Sequence, residues 1–99
     1  IRLIKMVVNE ARRHEIPVTL CGEIAADPRF TPLLLGLGIH ELSMAPRYIP
    51  VIRQAVRSIS IVDACEIANH ALTLSTPDEI EELLLSNFKR KSSKDFLKV

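Results

Sequence analysis

Apolar residues recur at helical spacing from the first position: Ile1, Leu3, Ile4, Val7, Val8 and Ala11, with Arg2, Lys5, Asn9, Arg12 and Arg13 around the rest of the wheel. This predicts an amphipathic helix over residues 1–15. The period then changes. Pro17 has no N–H for a ladder, so it suits the first place of a strand, and residues 17–20 are short and apolar enough for a covered parallel sheet. Asp27-Pro28 reads as a cap followed by a first-turn proline, which opens a helix near residue 27 or 28. Phe30, Leu33, Leu34, Leu35 and Leu37 belong to that helix, Gly36 and Gly38 end it, and Pro32 is tolerable only near its first turn. Residues 41–44 predict a second strand.

The remainder is helical. Ile49-Pro50 opens a helix to about Ser58 with Val51, Ile52, Ala55, Val56 and Ile59 on its apolar side. Ser60 with Asp63 forms a capping box before a stripe of Ile61, Ala64, Cys65, Ala68, Ala71 and Leu72. Thr76-Pro-Asp-Glu79 is a cleaner box for a last helix, whose Ile80, Leu83, Leu84 and Phe88 should face the core, with Phe96 and Leu97 able to dock. Helix, strand, helix, strand and three helices make an α/β order with a parallel sheet and right-handed crossovers. Two strands make a poor sheet alone. A (β/α)8 barrel typically needs ~250 residues. The order therefore fits its last two strand–helix units over residues 1–58, with a C-terminal helical extension over residues 59–99. Ile1 lies inside a helical pattern with no methionine before it, which predicts a piece of a longer chain.

Composition narrows the function classes. Thirteen Lys and Arg against twelve Asp and Glu leave a formal charge of +1, which gives no reason to invoke nucleic acid or an anionic membrane. The local basic excess at residues 89–94 reads as a solvated helix end. No apolar run approaches the ~20 residues that span a bilayer. Cys21 and Cys65 make no disulfide framework, no Cys/His spacing suits zinc, and a reducing cytoplasm fits.

The candidate chemistry lies where strands hand over to helices, the end at which parallel α/β folds keep their sites. Cys21-Gly22-Glu23 follows the first strand, and Gly22 can take a positive φ or admit a close approach. Ser43 and Met44 leave the second strand at the same end, followed by Arg47, read as solvent-facing. From the residues alone, Cys21 reads as an inert buried thiol sooner than as a reacting one. His14, His40 and His70 stand apart from one another and read as structural, as does Cys65 on its stripe.

Cys21-Gly22-Glu23, Asp27, Gly36-x-Gly38, Leu42-Ser43-Met44 and Ile49-Pro50 together resemble the C-terminal end of the phosphoenolpyruvate-utilising enzymes, over roughly residues 1–85. Within that family the likeness is strongest to the branch that phosphorylates a protein. The resemblance implies the end of a phosphoenolpyruvate-binding barrel and a role in moving a phosphoryl group to the enzyme's own histidine. From there it would pass to a histidine phosphocarrier protein for sugar uptake. It also implies that Cys21 protonates the enolate left behind, giving pyruvate. A thiol, with a pKa of about 8.5 in model peptides, carries its proton at neutral pH and suits the task.

The resemblance further implies that Gly22, Glu23 and Ser43 support the substrate loop, Glu23 and Ser43 more as loop supports than as reacting groups. Magnesium in the full enzyme would be held by acidic residues outside this chain, and helices would help form a homodimer. These residues alone would then be inactive. The family has a glycine where Ala26 stands. Two other readings remain: the related pyruvate phosphate dikinase and phosphoenolpyruvate synthase group, and a non-catalytic association module using the cut edges of the sheet.

Overall fold

A computed structural model describes the backbone of residues 1–97 and the side chains of residues 1–90. The first apolar repeat forms α1 (Arg2–Arg13), shorter at its C-terminal end than the spacing predicts. Glu15 takes a φ of 56°, and the Ile16 amide turns back to the Ala11 carbonyl at 2.8 Å, which ends the helix without a glycine. The expected docking of Phe96 and Leu97 concerns side chains outside the described ones.

Two strands pair in parallel, β1 (Thr19–Cys21) and β2 (Glu41–Ser43), with Thr19 opposite Glu41, Leu20 opposite Leu42 and Cys21 opposite Ser43. The expected strand over residues 17–20 is displaced by this register. Pro17 stays outside the ladder, and Cys21 is the strand's last residue rather than the one beyond it. Met44 likewise falls outside β2. Leu20 and Leu42 pack on Val8, Leu34 and Ile39, while Thr19, Cys21, Glu41 and Ser43 share the other, exposed face.

The connection between the strands differs from expectation. Residues Ile24–Ala26 form a single 3-10 turn, and α2 (Thr31–Gly36) opens only at Thr31. Asp27 is not its cap. The Asp27 carboxylate instead accepts from the Arg29 amide at 3.0 Å and from the Arg29 guanidinium at 2.6 and 3.1 Å, an Asx-type turn that uses up the oxygens a cap would need. Pro32 then falls within the first turn, where its missing N–H does no harm.

The remaining helices start where their local signals say: α3 (Ile49–Arg57), α4 (Ile61–Leu72) and α5 (Pro77–Leu97). Ser60 Oγ accepts from the Asp63 amide at 3.1 Å, and Thr76 Oγ1 accepts from the Glu79 amide at 3.2 Å. Their buried faces are narrower than predicted. On α4 the seam is Ala64, Ala68 and Ala71, leaving Ile61 and Cys65 exposed. On α5 it is Leu84 and Asn87, and Phe88 is 37% exposed. On α1 and α3, Leu3, Val7 and Val51 likewise face outward.

One core cluster joins α2, α4 and α5 through Leu33, Leu37, Ala68, Ala71 and Leu84. Ile4 and Phe30 touch both this cluster and the one beneath the sheet, so α1 and the head of α2 tie the strands to the helices. The result is a mostly helical α/β domain. The free edges of β1 and β2 have no strand beside them among the described residues.

Candidate active site at the strand ends

The register decides which side chains share a neighbourhood. Cys21 and Ser43 are paired, last in their strands and on the same exposed face, with backbones about 4.8 Å apart as in any sheet. The Cys21 thiol is therefore open to an approaching molecule at the C-terminal rim, and it is not buried in packing. Two residues back on each strand lies a pair that sequence reasoning missed. Thr19 Oγ1 donates to Glu41 Oε2 at 2.6 Å on this same face. Strand alternation from Cys21 and Ser43 would have found it.

Beyond the strands, Gly22 turns the chain at a φ of +101°, and a Cβ built there would meet nothing within 4 Å. Glu23 then starts the 3-10 turn with right-handed backbone angles, and its carbonyl accepts from the Ala26 amide at 3.2 Å. Its carboxylate is exposed and ion-pairs with no described residue. The second loop winds as another 3-10 turn over Pro46–Tyr48.

Between the two loops lies a cleft of about 620 Å³, walled by Gly22, Glu23, Asp27, Met44, Arg47 and Tyr48, among others. Cys21 and Ser43 do not line it; they stand at its edge, each one residue before a wall residue. Asp27 is spent on Arg29, whose guanidinium hydrogen bonds hold the carboxyl below the usual carboxylate range against the opposing effect of partial burial. Arg47 is exposed, as its loop position suggests, and it also borders this cleft. Its guanidinium lies 4.8 Å from the Tyr48 ring centre, and Nη2 donates to the Tyr48 hydroxyl at 3.0 Å.

A second groove, of about 690 Å³, runs between β2 and α3 past Leu42, Ile52, Val56 and Ile59. It is the larger and mostly apolar, and it shares Met44 with the rim cleft but has neither Cys21 nor Ser43 in its lining. The histidines are dispersed: His14 pairs with Glu10 at 3.0 Å on α1, His40 borders the apolar groove and His70 lies at the end of α4.

The sequence pattern of one family, described as PEP-utilising enzyme, PEP-binding domain, matches residues 1–61. The chain belongs to that family. The phosphoenolpyruvate-protein phosphotransferase of Chlamydia pneumoniae is 38% identical over 90% of this chain and 16% of its own length. That of Buchnera aphidicola from Acyrthosiphon pisum is 42% identical over 85% of this chain and 15% of its own length. Multiphosphoryl transfer protein 1 of Escherichia coli is 36% identical over 85% of this chain and 10% of its own length. The chain thus spans at most 16% of the length of these relatives.

Two features expected of the family bear on these residues. The departure at Ala26 is harmless, because Glu15 is the only non-glycine with positive φ among the described residues and Ala26 needs no glycine. Among the described residues no three His, Cys, Asp or Glu side chains are gathered to hold a metal. Asp27 and Glu41 are already engaged by Arg29 and Thr19. No helix among the described residues is long and apolar enough to cross a membrane.

Proposed function

We propose that this chain is the rim-forming part of a phosphoenolpyruvate–protein phosphotransferase in which Cys21 hands a proton to the enolate. The observation that carries the reading is the placement of an exposed thiol on the last residue of a parallel strand, paired with Ser43 and followed by a glycine turn. In the reaction a histidine elsewhere in the longer protein attacks the phosphorus, and the P–O bond to the enol oxygen breaks. The electrons stay on that oxygen as an enolate. Its methylene carbon then takes the proton from Cys21 Sγ, the C2 carbonyl forms, and the resulting thiolate regains a proton from solvent.

Gly22 leaves the approach to Sγ unobstructed, and Ser43 and Glu23 hold the loop or a substrate oxygen. The two free strand edges and the polar face between them suit a closed barrel to which other parts of the protein add strands. Magnesium belongs to those other parts, and so does the phosphohistidine that serves a phosphocarrier protein. The helical region would meet a second copy.

The test is Cys21→Ser in the intact protein. Pyruvate formation should fall by a factor of roughly 10²–10⁴, the range for loss of a positioned general acid, with an unchanged far-ultraviolet circular dichroism spectrum. Turnover equal to that of the parent protein would remove the thiol from the mechanism.

A further inference from the structure

Four charged groups stand at the cleft between the strand-end loops: Glu23, Asp27 and Arg47 on its walls, and Arg29 holding Asp27. The Asp27–Arg29 pair is self-neutralising, with two short contacts into one carboxylate. Arg47 is different. It forms no ion pair with any described carboxylate, yet it is not a loose surface cation. Tyr48 supports the guanidinium with its ring and fixes one corner through its hydroxyl. Tyr48 is itself held by the turn, where its amide donates to the Ala45 carbonyl at 3.0 Å. An arginine fixed through one Nη retains other N–H donors in a planar fork that suits carboxylate and phosphate oxygens. Across the cleft, Gly22 presents bare backbone and open space.

We propose that Arg47, steadied by Tyr48, is a substrate-binding residue that this chain adds at the rim, donating hydrogen bonds to an anionic oxygen of phosphoenolpyruvate. This rests on the function proposed above. Glu23, the one cleft carboxylate outside an ion pair, stands on the opposite loop and discourages anions from that side. It leaves Arg47 as the attractive wall.

The experiment is steady-state pyruvate formation from phosphoenolpyruvate by the intact protein, at low and high salt. Arg47→Gln should raise KM about fivefold with kcat changed less than about twofold, the size expected for a partly exposed charged contact. Arg47→Lys should recover part of the loss. The gap should close in about 0.5 M salt, where exposed charges are screened, a response that a merely structural role would not give. Weakened product inhibition by pyruvate in Arg47→Gln would put the contact on the carboxylate, and unaltered inhibition would put it on the phosphoryl oxygens.

An unmoved KM at low salt, or a rise that persists at high salt, would overturn the assignment while parent turnover left the overall function standing. Absence of pyruvate from the parent protein would instead bring down the function, and this contact with it.

Discussion

Around Gly36 the chain leaves no room for a side chain, whereas around Gly22 it leaves open space. A Cβ at Gly36 would stand 2.0 Å from the Ala64 carbonyl oxygen and 2.8 Å from the Ala68 Cβ, because α2 lies directly on the alanine seam of α4. At Gly22 it would touch nothing, and the glycine is there for its backbone angle. The two glycines mark two regions with different jobs. The helical seam is close-packed and holds the domain together, and the strand rim is open and presents its polar groups to whatever arrives. A site that must admit a substrate gains from this division, since its own residues can remain exposed while α1 and α2 anchor the strands from behind.

The difference can be broken most forcefully at the seam. Gly36→Ala should cost about 3 kcal/mol, since the obstruction is backbone and the helices must move apart. Urea denaturation would read it as a lower midpoint with the slope unchanged. Gly22→Ala should cost less, about 1–2 kcal/mol of backbone strain, with no packing defect. Equal losses at the two positions would mean that the rim is packed as tightly as the seam, which would contradict the open approach to Cys21.

The same division explains how much could be read from residues alone. The starts of α3, α4 and α5 were legible because Ile49-Pro50, Ser60 with Asp63 and Thr76 with Glu79 are local signals that nothing distant competes for. So was the delivery of Cys21 to a strand end. The start of α2 was not, because Asp27-Pro28 carries the residues of a cap while Arg29, two places on, takes the carboxylate. Helix phase was legible on α4 and α5, where Leu72, Ile80 and Leu83 pack on the core as expected, but the width of the buried face was overestimated. There the seam selects small residues and even Asn87, with its Oδ1 bonded to Arg90 at 3.2 Å, over the bulkier Ile61 and Phe88. Apolar count favours the larger residues, but close helix contact favours the smaller. Arg47 stacking on its neighbour Tyr48 leaves no periodic trace at all.

The smallest effect should come from acid, and it isolates the rim. Asp27 titrates below the usual carboxylate range in the folded protein, chiefly because the Arg29 guanidinium hydrogen-bonds its ionised form, with partial burial opposing. The unfolded chain therefore takes up this proton at a higher pH than the folded one. The contribution is fully present above the ordinary carboxylate pKa of about 3.9 and is lost as pH falls through the lowered folded value. Asp27→Asn should consequently be less stable than the parent at pH 7, by less than Gly22→Ala, and the two curves should converge as pH falls through the lowered folded value. Both partners are partly exposed, so added salt should narrow the gap at neutral pH as well. A gap that survived at low pH would mean that Asp27 holds the loop by its shape. In that case the Asx-type turn, and not the charge, would set the path from the Cys21 rim to the head of α2.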